Sequence, residues 1–203
     1  MRILSVIKVI ISSAFLCLCL ISQAYSFDTK ARAAYVVDYN SGTILLSKNA
    51  DLPLPPASMS KLMTLYMTFE FIKAGRLGLD EKLPVSKNAA NYTGSTMFLN
   101  PTDRVAVIDL IRGIIVLSGN DACAVIAEAL SPDGTEAGFA KLMTQRGKQL
   151  GLGNSTFKNS NGWPADGHQM SVRDLGILAE KLFTDFPEYY PMFAEQTYEC
   201  DGR

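Results

Sequence analysis

Ser58 and Lys61, in the stretch Pro55-Pro56-Ala57-Ser58-Met59-Ser60-Lys61, are a hydroxyl and an amine three residues apart. On a helix, residues at that spacing share a face, so the amine comes within reach of a hydroxyl that is otherwise too weak an acid to attack a carbonyl. The chemistry on offer is nucleophilic: Lys61 takes the proton and Ser58 forms a covalent ester. For an amine to act as a base near pH 7 its pKa must fall by about three units, roughly 4 kcal/mol, which burial and hydrogen bonds have to provide. Two prolines suit an extended lead-in and Ser58 suits a helix start, so the chain is expected to pass there from loop to helix. The helix, Ser58 to Lys73, carries Met59, Leu62, Met63, Leu65, Tyr66, Met67, Phe69, Phe71 and Ile72 on nearly every side, as a helix enclosed by a domain does.

The S-x-x-K spacing is weak by itself, since about one match per 200 residues is expected by chance, and this chain has three. Ser5–Lys8 lies in a segment with the character of a targeting signal, and Ser155–Lys158 lies in a polar stretch between helices. Neither heads a buried helix, so context selects Ser58. A second candidate is Ser118-Gly119-Asn120, a polar break between the apolar helical runs Val105 to Leu117 and Ala122 to Leu130. Such a break can present side chains to a cleft, or Asn120 or Asp121 can simply cap the second helix. Further S-x-N matches at Ser47 and Ser86 show how little three letters specify.

Other chemistries fare worse. His168 is the sole histidine, no G-x-S-x-G elbow exists, and a lone loop histidine is usually solvated surface. No His-Glu-x-x-His, cysteine pair or carboxylate cluster offers three metal ligands, so neither a metal nor a cofactor is expected. With 19 basic and 20 acidic residues and no basic stripe, nothing points to nucleic acid.

Residues 1–26 read as a secretory signal: Arg2 and Lys8 flank the start, Val9 to Ile21 is apolar, and Ala24-Tyr25-Ser26 places small residues where a peptidase cuts. Its removal leaves 17 basic against 20 acidic residues, a net charge of −3, on one domain over 27–203. That domain keeps only Cys123 and Cys200, too few for a disulfide framework, and free thiols with Cys123 buried are expected. Ala33 to Asp38 and Thr43 to Leu46, separated by Asn40-Ser41-Gly42, form a hairpin that needs further strands or helices to be stable. The central helix ends near Gly75, Leu83 to Asp103 is loop-rich, and helices follow over Thr135 to Leu150 and behind Ser171-Val172-Arg173-Asp174, a capping-box pattern with Asp for Glu.

Together, Ser58-Met59-Ser60-Lys61 and Ser118-Gly119-Asn120, sixty residues later, resemble the first two signatures of the penicillin-binding proteins and class A β-lactamases, whose third is K-T-G. Pro56-Ala57-Ser58, Lys61-Leu62-Met63-Thr64, Leu117-Ser118-Gly119-Asn120-Asp121-Ala122 and Ser171-Val172-Arg173-Asp174-Leu175 are similar to the exported D-alanyl-D-alanine carboxypeptidases. The resemblance covers about Ala33 to Phe183. It implies an α/β (α+β) fold of the β-lactamase/transpeptidase type, a helical cluster against an antiparallel sheet with strands from both ends of the chain. It further implies that Ser58 is acylated by peptidoglycan stem peptides ending in D-Ala-D-Ala, and by β-lactam antibiotics. Lys61 would take the proton, Ser118 would relay one to the leaving D-alanine, Asn120 would hold the substrate amide and orient Lys61, and the Ser58 N–H would serve the oxyanion.

No E-x-x-L-N segment of a β-lactamase follows Asn120, and only about 30 residues separate the signal from Ser58, too few for the large domain that precedes the nucleophile of high-molecular-weight transpeptidases. A small exported carboxypeptidase, in the periplasm or on the outer face of the cytoplasmic membrane, fits best; the alternatives are a penicillin-sensing module without turnover and a β-lactamase relative. After Ser118 the lysines are Lys141, Lys148, Lys158 and Lys181, and none begins K-T-G. The expectation is a chain truncated before that motif, lacking the C-terminal strands and any C-terminal segment that would lie on the membrane surface, and therefore inactive.

Overall fold

The computed structural model describes residue 27 and residues 29–199, so the expected signal over 1–26 and Cys200 lie outside the described residues. From Arg32 onward the described residues form one compact unit. Its axis is α1, Lys61–Lys73, entered through a 3-10 turn at Ala57–Ser60. The change from loop to helix falls where the prolines place it, but Ser58 is not the cap. No side-chain capping bond forms there, and Ser60 Oγ donates instead to the Ala57 carbonyl at 2.8 Å.

Four helices enclose α1: α3 (Val107–Leu117), α4 (Asn120–Leu130), α5 (Glu136–Gln149) and α6 (Val172–Asp185). Met63, Tyr66 and Phe69 of α1 are buried among Ile111, Ile126, Phe139, Met143 and Leu178, each such side chain contributing about 1.5–3 kcal/mol on leaving water. Arg146 of α5 forks onto Glu70 of α1 at 2.6–3.0 Å. Behind α6, Tyr189 stacks on Phe69 with ring centroids 4.7 Å apart.

Strands are few among the described residues. β1 (Ala34–Val37) and β2 (Ile44–Lys48) make the expected antiparallel hairpin, in which Ala34 faces Lys48. β3 (Lys82–Pro84) pairs antiparallel with β4 (Arg104–Ala106), and the short α2 (Lys87–Ala90) lies between them. Val105, read as the start of a helix, instead pairs with Leu83, and α3 begins at Val107. The hairpin lies on α6, with the Tyr35 ring 3.1 Å from where a Cβ on Gly176 would stand. Val36, Ile44 and Leu45 face solvent.

Side-chain caps form on both α5 and α6, the second of them where the sequence shows a capping pattern. Thr135 Oγ1 accepts from Gly138 N–H at 2.9 Å and Ser171 Oγ from Asp174 N–H at 3.1 Å. The returning arm of the Ser171 capping box is diverted: the Asp174 carboxylate accepts from Asn154 N–H at 2.8 Å and Ser155 Oγ at 2.7 Å. Ser155 of the rejected S-x-x-K is therefore a buried structural residue. Cys123 is a buried free thiol. No helix among the described residues is long and apolar enough to cross a membrane.

Candidate active site

Ser58 is exposed while Lys61 is 4% exposed. Their contact is direct: Lys61 Nζ lies 2.8 Å from Ser58 Oγ and donates to the Asn161 carbonyl at 2.8 Å. Burial holds the Lys61 pKa below its ordinary value, opposed by the nearby Cys123 thiol on α4. With one N–H given to Asn161, a neutral amine can turn its lone pair to the Ser58 hydroxyl. A water-facing hydroxyl touching a water-excluded amine is the arrangement that general-base activation requires.

The loop 159–163 grips Lys61. It docks on the 3-10 turn so closely that a Cβ at Gly162, whose φ is +88°, would sit 1.8 Å from the Ala57 carbonyl oxygen. Only glycine combines that left-handed backbone with that approach. Thr64 Oγ1 donates to the Ser160 carbonyl at 2.6 Å, and the Asn159 side chain closes the turn on Gly162 N–H at 2.8 Å and the Trp163 carbonyl at 2.8 Å.

Ser118 terminates α3 in the left-handed region, at φ +57° and ψ +37°. Ala57, immediately before Ser58, has φ +49°. Left-handed non-glycine residues cost about 1–3 kcal/mol each and persist where surrounding structure enforces them. Asn120 and Asp121 do not cap α4, because the N-cap position falls on Gly119 and both lie in the first turn. Asp121 instead turns its buried carboxylate to the N–H groups of Met97 and Leu99 at 3.0–3.2 Å.

Lys61 Nζ is held by the Asn161 carbonyl, and Asn120, to which the resemblance gives the orientation of Lys61, donates from Nδ2 to the Thr93 carbonyl at 2.8 Å. Asn120 thus holds the 93–95 loop, reinforced by its own N–H on the Ser95 carbonyl at 2.8 Å. His168 is not solvated surface: it is 5% exposed, set edge-on to Phe157, and Nδ1 accepts from Lys158 N–H at 3.3 Å. Burial lowers its pKa. No group of three or more His, Cys, Asp or Glu among the described residues could hold a metal ion.

The sequence profile described as D-alanyl-D-alanine carboxypeptidase matches residues 21–201. The D-alanyl-D-alanine carboxypeptidase DacC of Escherichia coli (strain K12) is 39% identical over 182 residues, covering 87% of this chain and 44% of its own. Among solved structures, the carboxypeptidase DacD from Francisella tularensis superposes with a TM-score of 0.82 at 36% identity, covering 87% of this chain and 42% of its own. Penicillin-binding protein D2 from Listeria monocytogenes in its ampicillin-bound form gives 0.74 at 30%, covering 86% and 70%. The chain spans less than half the length of the first two of these, and the fold it shares with them is the α+β, transpeptidase-like one.

Proposed function

Since the chain belongs to the D-alanyl-D-alanine carboxypeptidase family, we propose that the whole protein carrying it removes the terminal D-alanine from peptidoglycan stem peptides through an acyl-ester on Ser58. The observation that carries this is the buried Lys61 amine held between Ser58 Oγ and the Asn161 carbonyl. Ser58 Oγ attacks the carbonyl of the D-Ala-D-Ala bond as its proton passes to Lys61 Nζ. That proton then reaches the leaving nitrogen, with Ser118 as relay, and free D-alanine departs. Water attacks the ester, Lys61 again taking the proton, and Ser58 is restored. Asn120, its Nδ2 committed to Thr93, meets the substrate through Oδ1.

β-Lactams fit the same chemistry, since a strained amide opens on the same hydroxyl and cannot diffuse away as D-alanine does. A relative at 30% identity is known in an ampicillin-bound form. Action on the cell wall requires export, and we assign residues 1–26 as a signal cleaved before Phe27 and the catalytic domain to the segment that follows, working in the periplasm or at the outer face of the cytoplasmic membrane.

The test is release of D-alanine from a peptide ending in D-Ala-D-Ala by the full-length protein. Release that is lost in Ser58→Ala and retained in His168→Gln supports the reading. Release that survives Ser58→Ala overturns it.

A further inference from the structure

We infer that Glu136 is a positioning residue for Lys61, acting through the loop that carries Asn161; the inference rests on the role of Lys61 proposed above. Glu136 is the first residue of α5 and belongs to neither serine motif. Its carboxylate is divided between two partners. Oε1 accepts from Ser160 N–H at 2.9 Å and from the Ser160 hydroxyl, and Oε2 accepts from the Tyr92 hydroxyl.

Ser160 is fully buried, and each of its polar groups is taken. Glu136 holds the N–H and hydroxyl, and Thr64, one turn along α1 from Lys61, holds the carbonyl at 2.6 Å. The next carbonyl along the chain is that of Asn161, which fixes Lys61 Nζ. Rotating the peptide that joins Ser160 to Asn161 would therefore break a grip on either side of it. The other oxygen of Glu136 reaches the opposite loop, since Tyr92 adjoins Thr93, whose carbonyl receives Asn120 Nδ2 at 2.8 Å. A single carboxylate ties the loop that seats the base to the loop that seats Asn120.

Removing such a tether leaves the reacting groups in place but less well aimed, and a misplacement of one ångström can cost about a hundredfold in rate. The role depends on reach and on contact with both partners. Glutamine keeps the reach and both contacts, because its carbonyl oxygen can accept from Ser160 while its amide donates to the Tyr92 oxygen, reversing that one hydrogen bond. Aspartate keeps the charge and suits the first turn of a helix, but is one methylene too short to span both partners.

The experiment is stopped-flow acylation of the full chain by a fluorescent penicillin, with the active fraction read from the burst amplitude and the rate constant from its time course. Glu136→Asp is expected to keep its amplitude and lose at least about tenfold in the acylation rate constant, while Glu136→Gln returns toward the wild-type rate. A structural role alone would reduce amplitude at an unchanged rate constant. Wild-type speed in Glu136→Asp, or Glu136→Gln as slow as Glu136→Asp, overturns the inference. If wild-type protein shows no burst on Ser58, the acyl-enzyme reading fails instead.

Discussion

The Asn161 carbonyl oxygen lies 2.8 Å from Lys61 Nζ, across one hundred residues of sequence. This backbone contact gives the buried amine a fixed partner without giving it a counter-charge. An adjacent carboxylate would favour the charged form and raise the pKa, whereas burial beside a neutral carbonyl lets it fall. Acylation should therefore rise with pH as Lys61 loses its proton, and fall below that pKa. Lys61→Arg, which stays charged at every accessible pH, should lose at least about a hundredfold in acylation rate. A pH–rate profile for both proteins checks this.

Gly162 should tolerate no side chain. In Gly162→Ala the new methyl meets the Ala57 carbonyl in a left-handed backbone, and the combined overpacking and strain should cost roughly 3 kcal/mol. Urea unfolding would show this as a lower midpoint at unchanged slope, with slower acylation because the Asn161 contact moves with the loop.

Ser118→Gly should separate stability from activity. Relieving the left-handed serine at φ +57° should stabilise the fold by about 1 kcal/mol, while loss of the hydroxyl slows D-alanine release. Paired thermal melts and turnover assays test both halves.

His168 makes stability depend on pH. Its folded pKa is held below the ordinary 6.5 by burial and by Lys158, with Glu136 opposing. Between the folded value and 6.5 the unfolded chain binds a proton that the folded chain refuses, so stability is complete above 6.5 and falls as the pH drops through that window. Denaturation midpoints at pH 7.5 and 5.5 should differ, and His168→Gln should reduce the difference while leaving penicillin labelling intact.

The contact between Ser58 and Lys61 was legible because S-x-x-K followed by an apolar run encodes a shared helix face and its burial in adjacent residues. The hairpin and α6 were legible for the same local reason, through turn and cap chemistry at Asn40-Ser41-Gly42 and Ser171, and α5 through its amphipathic run. What escaped was non-local. Asn161 acts through its backbone carbonyl, which no residue type announces, and Glu136 looks like any acidic residue in a first helical turn. Gly162 carried a faint signal, as a glycine within an Asn-rich loop, but a turn glycine and a glycine under a neighbouring carbonyl read alike. His168 misled because loop position suggested exposure, whereas the Thr156–Gln169 bridge folds that loop back on itself. The boundary of α3 shifted because Val105 found a strand partner in Leu83, a tertiary preference that helical periodicity does not contain.

The account stands most directly on the identity of the acylated residue. Full-length protein labelled with penicillin, digested and mapped by mass spectrometry should carry the adduct on the peptide containing Ser58, with fragment ions placing the added mass on that serine, and Ser58→Ala should carry none. An adduct on Ser118, on Ser155 or on any other residue, or undiminished labelling of Ser58→Ala, would contradict it.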